Sequence, residues 1–344
     1  MALIDEIREQ PAVVERLVTD LPGRLAPIRE QVERQGIGHV LIAARGSSDH
    51  AAVYGVYALG AMAGLPVALA APSLFSRYAR PPRLERTLVI GISQSGRSPD
   101  VVSVLEEARR QGTPALAITN DPASPLADAA AEVVDLATGP ERSIAATKTY
   151  TASLAAIAVL AAVLGNLSEA ESRPLRELPD AMARALDTDD ATIARAAEAA
   201  RDVRACVVLG RGFNLASALE WSLKIKELAN VHAQAYSTAD FEHGPIASLE
   251  EGAHLLAVRA GGPLAADLDA LLARLATERG VQPVVVSDAR PEVGAWLPYP
   301  SGVPEWLSPL VAILPAQRFA AALTVARGLD VERPRGLSKV TLTR

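Results

Sequence analysis

Short apolar runs alternate along this chain with longer stretches in which apolar positions recur every third or fourth residue. The runs at 40–44, 67–70, 87–92, 115–119 and 133–136 are continuous and rich in Val, Ile, Leu and Ala, which predicts strands buried on both faces. Between them, residues 50–63 and 100–108 have helical spacing. Strand followed by helix, repeated, is the pattern of a doubly wound α/β domain with a mostly parallel sheet. Ahead of it, Leu3, Ile4, Ile7, Val13, Val14, Leu17 and Val18 lie at helical spacing with Gln10-Pro11 between them. This predicts two short helices with a restart at the proline, followed by a third over 25–35 that Gly36 ends.

The pattern restarts further on. Residues 142–164 open with Arg-Ser-Ile-Ala-Ala-Thr-Lys and continue as an Ala/Leu/Val-rich helix; 166–204 are polar and helical, with Pro174 and Pro179. A strand is then predicted at 206–210, a helix at 214–231, and strands at 255–258, 283–287 and 311–314. Arg45-Gly46 after the first strand recurs as Arg211-Gly212, 166 positions later. Together with the element order, this predicts an internal duplication. The expected layout is a helical segment 1–24, an α/β unit 25–165, connecting helices 166–204, a second α/β unit 205–326 and a polar tail 327–344.

Composition narrows the function classes. Hydrophobic residues make up 49% of the 344 and aromatics 4%, which suits helices on parallel sheets. Net charge is −6 without a long run of like charge, so nucleic acid is not an expected partner. The single Cys206 cannot form an internal disulfide and fits a cytoplasmic protein; its expected role is core packing. The opening Met1-Ala-Leu-Ile-Asp5-Glu6 has acids where a secretory leader needs basic residues, and no uncharged apolar stretch is long enough to span a bilayer, so no membrane partner is expected. Of the 34 basic residues only Lys148, Lys224, Lys226 and Lys339 are lysines. Lysine, unlike arginine, can give up its proton and form an imine, so these four are candidates for chemistry.

Candidate chemistry gathers where strands end. Ser93-Gln94-Ser95-Gly96-Arg97-Ser98-Pro99 joins a strand to a helix, with Ser98 placed as N-cap and Pro99 at the first helical position. Hydroxyls and free N–H groups at a helix start suit one small phosphate; a Ser-rich turn with a good cap has the same signature. Gly46, Ser47 and Ser48 form a second anion-binding candidate. Glu220, Lys224 and Glu227 share one helix stripe, which reads either as a solvated salt-bridge face or as a proton relay. His243, before Gly244-Pro245, could exchange a proton near neutral pH or simply tie its loop. No Cys/His pair has metal spacing, and no cofactor is called for.

These pieces, taken with Glu6-Ile-Arg-Glu-Gln-Pro11, Ala145-Ala-Thr-Lys148 and Pro334-Arg-Gly-Leu-Ser-Lys339, resemble the sugar isomerase (SIS) family, specifically the isomerase half of glucosamine-6-phosphate synthase. The resemblance implies two tandem SIS units with a C-terminal active-site tail. It implies that Ser48, Ser93, Gln94, Ser95 and Ser98 bind phosphate, with Gly46, Ser47, Ile144, Ala145 and Ser338 completing the substrate site. Glu227 would move a proton between C1 and C2, His243 would open the sugar ring from the neighbouring subunit, and Lys339 would engage the sugar carbonyl. Glu220 and Lys224 would support them. A homodimer with shared active sites and a small sugar phosphate as partner follow from the same resemblance.

The departures from the family are Arg97 for an acid, Ser98 for Thr, Ala146 for Ser and Trp221 for a small residue. The synthase's glutaminase domain, with its catalytic Cys, has no match here, so no built-in ammonia source is expected. In this respect the chain resembles the SIS-type glucosamine-6-phosphate deaminases. The expected reaction is glucosamine 6-phosphate to fructose 6-phosphate plus ammonia. A fructosamine-6-phosphate deglycase and a non-catalytic sugar-phosphate sensor are the alternatives.

Overall fold

The structure, a computed structural model, describes residues 1–339. It contains two five-stranded sheets. The first comprises β1 (His39–Ala43), β2 (Val67–Leu69), β3 (Thr87–Ser93), β4 (Ala115–Thr119) and β5 (Glu132–Asp135) in the order β2-β1-β3-β4-β5. The second comprises β6 (Ala205–Gly210), β7 (His232–Ser237), β8 (His254–Arg259), β9 (Val284–Ser287) and β10 (Ala295–Pro298) in the order β10-β9-β8-β6-β7. Every strand pairing is parallel. Read from β7, the second order repeats the first, as a duplication requires.

The helices are α1 (Ala2–Arg34), α2 (Ser47–Ala63), α3 (Ser73–Ser76), α4 (Pro99–Gln111), α5 (Pro125–Ala129), α6 (Lys148–Leu164), α7 (Glu169–Leu186), α8 (Asp190–Ala199), α9 (Leu215–Ala229), α10 (Thr238–Glu242), α11 (Ala265–Arg279) and α12 (Ser308–Ala326). The chain divides into two compact units. One, the β1–β5 unit, comprises 12–141, 148–176 and 338–339; the other, the β6–β10 unit, comprises 1–11, 142–147 and 177–337.

The structure departs from the predicted elements in three places. The expected pair of short N-terminal helices and the third over 25–35 are one 33-residue helix, α1, which runs through Pro11, Pro22 and Pro27. Its stripe Leu3, Ile7, Gln10, Val14, Leu17, Leu21, Leu25 and Ile28 is buried throughout. A helix-interior proline costs ~3 kcal/mol and each buried Leu or Ile returns ~1.5–3 kcal/mol, so the stripe outweighs the interruptions. The strand expected at 311–314 is part of α12. That helix is apolar on all sides because it is buried on all sides, and such a segment cannot be told from a strand by periodicity. Strands β7 and β10 were not predicted: β7 is Ala-rich and β10 ends in Pro298, and both lie at sheet edges where such residues are tolerated.

Among the described residues α12 with its lead-in, Glu305–Ala326, is the one helix long and apolar enough by composition to cross a membrane. Its residues form core of the β6–β10 unit. Of the expected tail, residues 340–344 lie outside the described residues.

Candidate functional site

In the β1–β5 unit two loops leave the carboxyl edge of neighbouring strands. All seven residues of β3 are buried, which delivers Ser93 to that edge with its side chain inside. Gly96 then takes a left-handed turn (φ +61°) in a space where a Cβ would lie 1.9 Å from Ser124 Oγ. Its N–H donates to the Ser93 carbonyl and hydroxyl, both at 3.2 Å. Asn120 N–H donates to Gln94 O at 3.1 Å and Leu126 N–H to Gly96 O at 3.0 Å, so the loop is braced from β4 and α5. Arg97 N–H donates to Ser95 Oγ at 3.3 Å.

Ser98 occupies the expected N-cap position of α4 with Pro99 next, but its hydroxyl makes no cap bond. The second loop turns at Gly46 (φ +58°), and α2 begins at once with Ser47 and Ser48, three residues earlier than predicted. Arg45 ties the two loops together: its Nε donates to Asp100 Oδ2, in the first turn of α4, at 2.7 Å. Beside Ser48, burial pushes the Asp49 carboxyl above its usual range against the pull of His50 and Arg45. The structure thus brings Gly46, Ser47, Ser48, Ser93, Gln94, Ser95 and Ser98 to one sheet edge.

The same unit holds Lys339. Its Nζ donates to Glu141 Oε2 at 2.7 Å; the Glu141 side chain is 0% exposed. Ser338 beside it is exposed. Glu141 was missed in the sequence. Its one available signal was isolation, since it is the sole acid between Asp135 and Glu169.

In the β6–β10 unit the reading of Glu220, Lys224 and Glu227 as a solvated face is excluded by burial. Their side chains are 0%, 1% and 21% exposed. Lys224 Nζ lies 3.3 Å from Glu220 Oε1 and 2.5 Å from Glu227 Oε2. Burial alone would lower the Lys224 pKa; the two carboxylates outweigh it and hold it above its usual value. Lys224 is therefore a fixed ammonium between a sealed carboxylate and a partly open one. Trp221, one residue from Glu220, is core, edge-on to Phe319 at 5.5 Å.

His243 is exposed at the end of α10 and is not among the partners of the Lys224 array. Ile144 is half-buried and Ala145 buried on the segment 142–147. That segment is held by Glu6, whose carboxylate accepts the Arg142 N–H and, at 3.2 Å, the Ser143 N–H. Gln10, one turn on, donates to Gln317 at 2.6 Å in the core. The Glu6–Pro11 motif thus anchors a loop rather than substrate. Among the described residues no group of three His, Cys, Asp or Glu is arranged to hold a metal ion.

Comparison with known proteins places this geometry. The chain is 35% identical over 353 aligned positions to a glutamine–fructose-6-phosphate aminotransferase (isomerizing) from Gloeobacter violaceus, covering 98% of this chain and 58% of that protein. The chain thus spans little more than half the length of the curated relatives it matches. Among solved structures, a candidate phosphosugar isomerase from Silicibacter pomeroyi superposes with a TM-score of 0.88 at 34% identity, covering 96% of this chain and 99% of that one. The C-terminal domain of glucosamine-fructose-6-phosphate aminotransferase from Francisella tularensis gives 0.87 at 26%, covering 97% and 98%. A glucosamine-6-phosphate deaminase from Thermotoga maritima, at 20% identity and a TM-score of 0.79 with both chains fully covered, shares the fold. The SIS domain model matches residues 36–163, which hold β1–β5, and 201–292, which hold β6–β9, and the chain belongs to the SIS domain family.

Proposed function

We propose that this protein is a sugar-phosphate isomerase of the aldose–ketose type, and that its substrate is an amino-sugar 6-phosphate, glucosamine 6-phosphate, converted to fructose 6-phosphate and ammonia. The observation that carries the reading is the Glu220–Lys224–Glu227 array. A base that moves a proton between adjacent carbons must be reachable and held in place; Glu227 is the carboxylate of the array left partly open, and Lys224 Nζ, 2.5 Å away, holds it. The hydroxyl-lined loop 93–98 suits the phosphate, and the names of the relatives concern phosphosugars.

In this reading His243 opens the pyranose. Glu227 takes the proton from C2 and returns it to C1, so the 2-amino aldehyde becomes a 2-imine with a hydroxymethyl C1. Water adds to the C=N carbon, ammonia leaves, and the ketone remains. Lys339 supplies the amine that engages the open-chain carbonyl. The exposed His243 is contributed to the site of a second copy in a homodimer. Mixing Glu227→Gln with His243→Ala chains would then restore activity that neither has alone.

Two assays on one preparation test the proposal. Wash-in of solvent deuterium at C1 of fructose 6-phosphate reports the isomerase proton transfer; ammonia release from glucosamine 6-phosphate reports the deamination. Both are expected. Exchange without ammonia would leave an isomerase and remove the deaminase. Neither, across hexose and hexosamine 6-phosphates, would remove the reading entirely.

A further inference from the structure

Glu141 stands at the entry to α6 with a fully buried carboxylate. Its Oε1 accepts the Thr149 N–H at 3.0 Å and its Oε2 the Thr149 hydroxyl at 2.8 Å. The carboxylate therefore sits on the first turn of a 17-residue helix, where free N–H groups and the positive end of the dipole favour an anion. The same Oε2 accepts the Lys339 ammonium at 2.7 Å, although Lys339 comes from a segment with neither helix nor strand.

We propose that Glu141 is the positioning residue for Lys339: the α6 N-terminus fixes the carboxylate, the carboxylate fixes the amine, and the tail presents its lysine to the substrate carbonyl from that point. The proposal deepens the reading above and rests on it for the carbonyl substrate. A lysine on an irregular tail otherwise spreads its ammonium over many rotamers, whereas a donor to a carbonyl oxygen has to be held within hydrogen-bond reach of it. A charge-assisted bond of this length is of the strong kind. Release is also provided for. When the amine turns to substrate, both Thr149 donors stay on Glu141, so no buried charge is stranded without partners.

Because the chain has four lysines, each can be followed by mass spectrometry after brief acetylation of the full chain, with exposed Lys226 as the internal reference. Glu141→Gln is expected to raise Lys339 acetylation about fivefold or more relative to Lys226. It is also expected to lower kcat on glucosamine 6-phosphate about tenfold or more while KM stays within about twofold. Glu141→Asp, which keeps the charge at α6 but withdraws it from Lys339 by one methylene, is expected to do the same and serves if the glutamine variant fails to fold.

Thr149→Val separates positioning from helix capping. It removes a donor to Glu141 and lowers stability, yet should leave Lys339 protected. Unchanged Lys339 acetylation in both Glu141 variants overturns the proposal, as does raised acetylation with unchanged kcat. If the native chain turns over no sugar phosphate, the functional reading fails, and the acetylation comparison alone decides whether Glu141 holds Lys339.

Discussion

The chain leaves β1 through Arg45-Gly46 and leaves β6 through Arg211-Gly212, and both glycines sit at φ +58°. In each unit the arginine reaches an aspartate in the first turn of the helix that follows the third strand. Arg45 Nε lies 2.7 Å from Asp100, and Arg211 Nη1 lies 3.1 Å from Asp267. The backbone frame and its brace are thus common to both units, while the side chains on the frame have diverged.

After β3 the loop is Ser93-Gln-Ser-Gly-Arg-Ser98; after β8 it is Ala260-Gly-Gly-Pro-Leu264, without a hydroxyl. Carboxylates stand over the latter: a Cβ on Gly261 would lie 2.5 Å from Asp288 Oδ2, and one on Gly262 2.5 Å from Glu305 Oε2. Acidic oxygens thus crowd the loop after β8, whereas hydroxyls line the loop after β3. The helices after the shared glycine differ as well. In the same register, Glu220, Lys224 and Glu227 of α9 stand where α2 has Tyr54, Ala58 and Ala61. One copy of the frame carries hydroxyls at its loop and the other carries ionisable groups along its helix.

The largest effect should come from separating the two proposed roles, phosphate contact and proton transfer. Glu227→Gln keeps the shape and removes the base, so turnover should fall by about 10³-fold, within the range for general acid–base groups. The affinity for inorganic phosphate, measured by calorimetry, should not move. Ser93→Ala should do the reverse, weakening phosphate binding about tenfold or more through loss of a charge-assisted bond. Coupled loss of both properties in either variant would break the division of labour between the units.

Next in size is Lys224→Met. It leaves two carboxylates, one sealed, without their shared cation, and removing one partner of a buried pair costs ~3–5 kcal/mol. Hydrogen exchange should show the loss in β6, β8 and α9, while β1, β3 and α2 keep their protection. Gly96→Ala is expected to have a smaller effect, confined to the other unit. The positive φ and the close approach to Ser124 together cost ~1–3 kcal/mol and should loosen the loop before the sheet.

How legible these differences were in the sequence follows from what each residue depends on. Strands β3 and β4 and the cap position of α4 are set locally, by continuous apolar runs and by Ser98-Pro99, and the sequence located them closely. The Arg-Gly landmark was legible, but its aspartate partners were not, since they lie 55 and 56 positions away. The spacing of Glu220, Lys224 and Glu227 showed one stripe; whether that stripe faced water or core depended on the packing of α9 on α12 and β7. Beyond its isolation Glu141 carries no local pattern: its partners are a helix start eight residues on and a lysine 198 residues on. The continuity of α1 was hidden because proline rules are local, whereas the burial that overrides them is not.

The smallest predicted effect uses the only cysteine, which lies in β6 and so reports on one unit alone. Burial pushes the Cys206 thiol up to about 12 from its ordinary 9.0, against a weak opposing pull from Lys226. A thiol that ionises at lower pH when unfolded than when folded favours the folded chain until the unfolded chain begins to lose its proton. Its contribution is therefore complete below pH 9 and is lost as pH rises from 9 towards 12. At pH 10 the loss from this group is roughly 1 kcal/mol. Lys224 and the buried tyrosines Tyr54 and Tyr299 are also held above their usual values, so the whole alkaline limb falls for several reasons. The difference between the native chain and Cys206→Ala isolates the thiol. Urea midpoints of the two should run parallel from pH 7 to 8.5 and converge or cross as pH approaches 11, with the alanine chain losing less. Parallel curves to pH 11 would mean that Cys206 is reached by solvent in the folded chain, and that the β6–β10 unit is more open at its strand β6 than the fully buried residues around it indicate.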